Sequence, residues 1–296
     1  MKTKMQGRTD ESSMTERKRR LINIFEDTQR CYRRNAKLAN AALKAMSATK
    51  LYEEDEYPDL SDHTVNREQE CLVSVTKHKT FDAAMIIHKE HPDWKITVLN
   101  FASATNPGGG VKTGNSAQEE SLCRCSTLYP TLTQGWLWNQ YYLKNRTAQN
   151  NLHTDACIYS PGIVVFKTDD SFPVLMEEKD WVTVDVISCA APNLRKKPAT
   201  VHNPEYGITP VITDEELYRL HRKRAKHILH IAVANNTDAL VLGAFGCGAF
   251  ANDPAVVAKA YADVLEEYKQ YFRQIEFAIY CRPSETKNYD AFKSTL

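Results

Sequence analysis

The apolar run Ile96-Thr97-Val98-Leu99 leads, seven residues on, to Asn106-Pro107-Gly108-Gly109-Gly110-Val111. A further seven residues separate Gly110 from Gln118-Glu119-Glu120. The apolar run predicts a buried strand. Three consecutive glycines let backbone lie close to a ligand and offer it N–H groups. The adjacent carboxylates then bring acid/base chemistry to the same place. In this order the segments read as strand, ligand loop and catalytic helix, and they point to an enzyme.

The rest of the chain repeats the strand–helix alternation. Ser13-Met14-Thr15-Glu16 has the form of a capping box and predicts a helix start, with residues 1–12 disordered before it. Leu21, Ile24, Phe25, Thr28 and Tyr32 recur at helical spacing, weakly continued to about Met46. Residues 53–62, acidic and containing Pro58, predict a loop. Strands are expected at 71–75, 96–101, 182–189, 239–242 and 275–281, and helices at 81–91 and 118–129. A second capping box, Thr213-Asp214-Glu215-Glu216, opens another helix, and Asp253 with Pro254 in the first turn opens the last. Buried strands alternating with helices predict an α/β sheet covered by helices on both faces. The expected organisation is a disordered 1–12, a helical extension with an acidic loop over 13–69, and a catalytic domain over 70–296.

Composition narrows the class. With 42% hydrophobic and 25% charged residues the chain is an ordinary globular protein, and no apolar run approaches the roughly 20 residues that span a bilayer. The eight cysteines lack the dense spacing of a disulfide scaffold, so a reducing, cytoplasmic setting without disulfides is expected. The net charge of +1 excludes a globally basic nucleic-acid binder. Residues 1–50, however, hold thirteen Lys/Arg against five Asp/Glu, and the stretch that follows is acidic. Two solvated faces that attract each other account for this. A basic helix that steers a polyanion toward the site is the functional alternative.

A second glycine-rich loop, Gly243-Ala244-Phe245-Gly246-Cys247-Gly248, follows the strand at 239–242. Ligands of open α/β sheets bind beyond the carboxyl ends of the strands, where such loops suit a diphosphate. One glycine turn serves backbone geometry as readily as a ligand; two on separate strands, one followed by a carboxylate pair, favour the ligand. The first loop lacks the Gly-Lys-Ser/Thr ending of a P-loop, and the second has the wrong glycine order for a dinucleotide fingerprint. His88-x-x-His91, His227-x-x-His230 and Cys123-x-Cys125 have no second ligand cluster beside them, so no metal and no cofactor are expected. Cys247 reads as a small residue under a phosphate loop rather than a nucleophile.

The Gly-Gly-Gly, seven-residue gap, Gln-Glu-Glu arrangement resembles the signature of the poly(ADP-ribose) glycohydrolases, most closely their compact bacterial-type branch. Asn100-Phe101-Ala102-Ser103, Glu120-Ser121-Leu122, and Gly243 to Phe250 before Asn252-Asp253-Pro254 extend the match. The resemblance implies a macrodomain-like mixed sheet sandwiched between helices, with a helical N-terminal extension and ADP-ribose lying across the strand ends. It makes Glu120 the catalytic residue and Glu119 the one that orients the ribose. Asn106, Gly108, Gly109, Gly110, Val111 and Gln118 would stand on the substrate side at the scissile ribose. Gly246, Cys247, Gly248 and Ala249 would cradle the diphosphate, with Phe250 against the terminal ribose. Where many macrodomains carry an asparagine this chain has Ser103, and Asn106 is the candidate for the missing amide. Phe245 and several tyrosines are candidates to stack on adenine.

The implied reaction is hydrolysis of ribose–ribose bonds in poly(ADP-ribose), releasing ADP-ribose, by a protein expected to be a monomer. Removal of single ADP-ribose units from protein or nucleic acid, and a non-catalytic ADP-ribose reader, are the alternatives.

Overall fold

Successive residues of a strand face opposite sides of a sheet, so a strand covered on both faces is apolar throughout. A computed structural model describes residues 6–65, 70–198 and 208–296, with side chains in the first helix from Glu16 onward. In strand β3 (Ile96–Phe101), Ile96 and Val98 join one core while Leu99 joins the other. Strand β5 (Val182–Cys189) divides likewise, with Val182, Val184 and Val186 on one side and Ile187 and Cys189 on the other. Strand β6 (Ala239–Leu242) repeats the division.

Seven strands form one sheet. The others are β1 (Lys50–Tyr52), β2 (Leu72–Thr76), β4 (Cys157–Val165) and β7 (Gln274–Ala278), and the order is β1-β4-β5-β3-β6-β7-β2. From β5 to β2 neighbours run parallel; β4 and β1 pair antiparallel at the other side. This is the mixed sheet expected. Helices α8 (Asp214–Ala234), α9 (Pro254–Tyr268) and α10 (Lys287–Thr295) cover the first core, centred on Ile228, Tyr261, Phe277 and Phe292. Helices α3 (Thr80–Glu90), α4 (Gln118–Cys125) and α5 (Leu128–Leu132) cover the second, with α6 (Gly135–Leu137), a π-helical turn over Trp138–Tyr142 and α7 (Leu143–Ala148).

Local signals set several of these boundaries. Thr213 and Glu216 complete a reciprocal capping box at the start of α8. Asp253 accepts from the N–H groups of Ala255 and Val256 at 2.9 and 3.3 Å, with Pro254 first in α9.

Three expectations change. Helix α1 (Gln6–Arg34) begins inside the stretch read as disordered and runs straight through Ser13–Glu16, because a local capping option does not stop a helix that continues; residues 1–5 lie outside the described residues. The helix expected over 118–129 breaks after Cys125. There the Thr127 N–H donates to the Val164 carbonyl (3.0 Å) and Ser126 bridges Val165, so sheet pairing overrides helix continuation. The last strand ends at Ala278 instead of Cys281.

The acidic loop does not face α1. Lys223 of α8 pairs with Glu54 (2.9 Å) and Asp55 (3.0 Å), and Lys144 pairs with Glu53 (3.0 Å). His227 and His230 bond to the carbonyls of Glu56 (2.8 Å) and Pro58 (2.6 Å), which accounts for that histidine pair structurally. Helix α1 instead lays Leu21, Phe25, Thr28 and Tyr32 onto the domain, and α2 (Ala36–Ala48) follows a break capped by Asn35.

Candidate active site

Both glycine loops and the 190–194 loop leave the carboxyl ends of the neighbouring strands β3, β6 and β5. Gly243, at the end of β6, packs against Phe101 of β3 so closely that an added Cβ would stand 2.8 Å from its ring. Gly246 (φ +79°) approaches Ala191 in the same way, at 2.7 Å. The parallel strands thus bring the loops to one crevice.

Glu119 and Glu120 lie in the first turn of α4 and are 3% and 6% exposed, so both are buried despite their charge. The glycine loop reaches both. A Cβ built on Gly109 (φ +57°) would fall 2.6 Å from Glu120 Oε1 and 3.0 Å from Glu119 Oε2. Gly110 N–H donates to Glu120 Oε1 at 2.8 Å. Glu119 Oε2 accepts from the Ser103 N–H (2.8 Å), and the Gly108 N–H also faces its carboxylate. The triglycine therefore turns N–H groups toward the carboxylate pair rather than toward a ligand. Gly108, Gly110 and Val111 are buried, and Gly109 is half-buried.

The two carboxylates differ in what they have left to offer. Glu119 is held at both oxygens, with the Asn100 amide 3.5 Å from Oε1, and burial followed by the charge of Glu120 pushes its carboxyl well above the usual range. Glu120 keeps one oxygen, Oε2, buried with no partner among the described residues. Buried polar groups are rarely left unpaired, and those that are mark places where another group belongs.

Gln118 serves a different purpose from the one its motif suggests. Its amide donates to the Leu99 carbonyl (2.7 Å) and Thr80 Oγ1 (3.1 Å), and its oxygen accepts from the Phe101 N–H (2.8 Å). It stitches α4 to the end of β3 instead of reaching toward a substrate. Asn106 is likewise occupied: Arg146 takes its side-chain oxygen and also bonds the Thr105 carbonyl at 2.8 Å. The buried amide beside the carboxylates belongs to Asn100, whose oxygen has no partner. In the sequence Asn100 is marked only as a polar residue near the end of an apolar strand, which carries no role by itself.

At the second loop the N–H groups of Gly246, Gly248, Ala249 and Phe250 donate to no group among the described residues, while Gly248 and Ala249 are exposed. The Cys247 N–H between them is spent on the Ala244 carbonyl (3.1 Å), and the remaining four make this loop a candidate anion nest. Asn252 holds it together, donating from Nδ2 toward the carbonyls of Pro192 (2.7 Å), Gly246 and Phe250 (both 3.1 Å). His221 donates to Asn252 Oδ1 at 2.7 Å, and burial pulls its pKa down to about 3, so the ring is neutral. Burial pushes the Cys247 thiol up, away from nucleophilic thiolate character. Phe250 is half-buried near His153, at 6.4 Å between rings. Phe245 is fully buried against Phe101 and His221, which removes it as an adenine platform.

Comparison with known proteins agrees with this architecture. The family model described as microbial-type PARG, catalytic domain, matches residues 22–168, from α1 through the glycine loop and α4. No curated protein matches the sequence. The crystal structure of poly(ADP-ribose) glycohydrolase (PARG) from Thermomonospora curvata is 30% identical, with 93% of this chain and 99% of that chain covered and a TM-score of 0.80. The same enzyme bound to the inhibitor ADP-HPD gives a TM-score of 0.77 at the same identity and coverage. The Deinococcus radiodurans PARG in complex with ADP-ribose is 33% identical, covering 86% of this chain and 96% of that one, with a TM-score of 0.69. With its mixed sheet, its carboxylate pair under a triglycine loop and these relatives, the chain belongs to the bacterial-type poly(ADP-ribose) glycohydrolases, a glycosidase family.

Proposed function

We propose that the protein hydrolyses the ribose–ribose O-glycosidic bond of poly(ADP-ribose) and releases ADP-ribose, with Glu120 as general acid and then general base. The observation that carries this is the asymmetry of Glu120: Oε1 is fixed by the Gly110 N–H, and Oε2 is buried with no partner among the described residues. A carboxyl held by one oxygen presents the other in a defined direction, as proton transfer requires.

Protonated Glu120 gives its proton to the departing ribose oxygen as the glycosidic C–O bond breaks and the anomeric carbon gains oxocarbenium character. The carboxylate left behind takes a proton from water as the water oxygen bonds to that carbon, which restores the acid. The scheme uses no second carboxylate nucleophile. Glu119, with both oxygens already held, orients the ribose. The open N–H groups of Gly246, Gly248, Ala249 and Phe250 suit the diphosphate, so binding energy remote from the bond holds the sugar in reactive geometry. Relatives described with ADP-HPD and with ADP-ribose support this ligand class. The eight unpaired cysteines support a reducing, cytoplasmic setting.

The test is labelled poly(ADP-ribose) incubated with the protein and with Glu120→Gln. The expected result is release of ADP-ribose by the first and a kcat about 10²–10⁴ lower for the second, with ADP-ribose affinity retained. Equal rates would overturn the role of Glu120. Binding without turnover of polymer, but with release of single ADP-ribose units from modified protein, would move the assignment to a mono-ADP-ribosyl hydrolase.

A further inference from the structure

Helix α1 outruns the domain it packs on. Its last residue toward the N-terminus with a buried side chain, among those described, is Leu21, whereas Glu16, Arg17, Lys18, Arg19 and Arg20 are all exposed. Five consecutive exposed residues span more than a full helical turn, so the side chains of that turn lie largely in solvent. Four of the five are cations.

This turn lies beside the catalytic loop. Gly114 (φ +76°) closes the segment that follows the triglycine, and a Cβ on it would stand 2.6 Å from the Lys18 carbonyl oxygen. Lys112, exposed in the same segment, sits 5.7 Å above the Tyr129 ring that backs Gly108. Arg20 stacks on Phe172 at 3.8 Å, which fixes the turn's position on the surface.

Some cations of the helical extension are neutralised by nearby carboxylates. Arg30 is paired with Asp27 at 3.4 Å and Lys37 with Glu178. Among the described residues, Arg17, Lys18, Arg19, Arg20 and Lys112 form no ion pair, and the acidic loop that might have neutralised them is held by Lys223 and Lys144. The result, among the described residues, is a cationic strip with Glu16 as the one acid in its turn, beside the segment that follows the triglycine.

We propose that Arg17–Arg20 and Lys112 bind the diphosphates of the polymer beyond the scissile bond, on the side of the departing ribose. This rests on the reading of the protein as a poly(ADP-ribose) hydrolase. If the bound unit places its diphosphate on the 246–250 nest and its anomeric carbon at Glu120, the remaining chain leaves over the 108–114 loop toward α1. Each further unit carries a diphosphate, so a chain crossing this strip exchanges counterions for lysine and arginine. Long chains bring several diphosphates to the strip, whereas a two-unit chain brings a single one, so the gain in affinity grows with chain length.

The test compares the protein with the variant carrying Arg17→Gln, Lys18→Gln, Arg19→Gln and Arg20→Gln, using long poly(ADP-ribose) and the two-unit chain as substrates at low and high salt. Arg33→Gln with Arg34→Gln on the same helix is the control. The expected result is a kcat/KM lower by about tenfold or more on long chains at low salt, shrinking at high salt, with a clearly smaller loss on the two-unit chain and the control within twofold of the parent on both. Equal loss on both chain lengths, or no loss on either, overturns the proposal. So does a variant that turns over long polymer normally but loses affinity for a DNA oligonucleotide. If neither substrate is hydrolysed by the parent protein, the hydrolase reading fails by itself. Fluorescence anisotropy of long and two-unit chains then decides on the strip: a loss of long-chain binding confined to the quadruple variant supports it, and unchanged binding overturns it.

Discussion

Thr28 in α1 donates its hydroxyl to the carbonyl oxygen of Arg124 in α4 at 2.5 Å, a bond between residues 96 apart in sequence. The last carbonyls of a helix have no partner within it, so the N-terminal extension caps the helix that carries Glu119 and Glu120. Phe25 supports the same contact by meeting the Tyr129 ring edge-on, with centroids 4.9 Å apart, under Gly108. The extension is thus part of the catalytic unit, consistent with a family match that begins at residue 22. Thr28→Val keeps the shape and leaves the Arg124 carbonyl buried and unpaired, which costs about 1–3 kcal/mol. The expected outcome in chemical denaturation is a lower midpoint with an unchanged slope, and an unchanged midpoint would refute the capping role.

Gly109 is the residue of the loop whose side chain would fall on the carboxylate pair. Its φ of +57° lies in the left-handed region, and a Cβ would meet Glu120 Oε1 at 2.6 Å. Gly109→Ala therefore displaces the catalytic carboxyl as well as straining the backbone. The expected outcome is a fall in kcat of about 100-fold, the scale associated with misplacing a reacting group by an ångström. Gly162→Ala is the matched control, because its φ is +68° and, among the described residues, nothing lies within 4 Å of its Cβ position. Steady-state kinetics on both variants would decide, and comparable activities would mean that the loop does not position Glu120.

Much of this architecture was legible because its signals are local. The strand over 182–189, the Thr213–Glu216 capping box and the Asp253-Pro254 helix start each depend on a few adjacent residues. Strand β4 was not legible, since Pro161-Gly162 in its middle reads as a turn. The sheet tolerates the pair at a register shift between Ser160 and Ile163, where Asp185 accepts the Gly162 N–H at 2.8 Å. The site divides in the same way. The triglycine and carboxylate pair stand out in sequence, but the direction of the glycine N–H groups, and the claims of Arg146 on Asn106 and β3 on Gln118, arise only from tertiary contacts.

Asp169 makes the attachment of α4 pH-dependent. It is 3% exposed, accepts from Ser121 Oγ at 2.6 Å beside Glu120, and burial raises its pKa to about 6. The folded protein holds this proton more tightly than the unfolded chain, whose aspartates titrate near 3.9. The stabilisation is fully present below that value and is lost as pH rises through about 6. Two pKa units correspond to about 3 kcal/mol. Asp169→Asn keeps the acceptor for Ser121 and removes the titration, so the stability of the parent relative to the variant is expected to fall between pH 4 and 7. Denaturation at a series of pH values would measure it, and parallel curves would show that Asp169 does not supply the dependence.

Asn252 carries the second loop by a single amide. Its Nδ2 faces three carbonyls, from Pro192 after β5 and from Gly246 and Phe250 at the two ends of the anion nest. Its Oδ1 accepts from a neutral His221. Asn252→Asp preserves size but sets a carboxylate against three carbonyl acceptors, so the loop they belong to is expected to open. Hydrogen bonds to a charged ligand contribute about 1.5–3 kcal/mol each, and the loss of one or more weakens ADP-ribose binding by roughly 10–100-fold. Calorimetric titration with ADP-ribose should show that loss, while kcat at saturating polymer falls less because Glu120 lies on α4 and its glycine loop follows β3 rather than β6. Binding at parental affinity would mean that the nest does not hold the diphosphate, and the ligand would then have to be anchored elsewhere in the crevice.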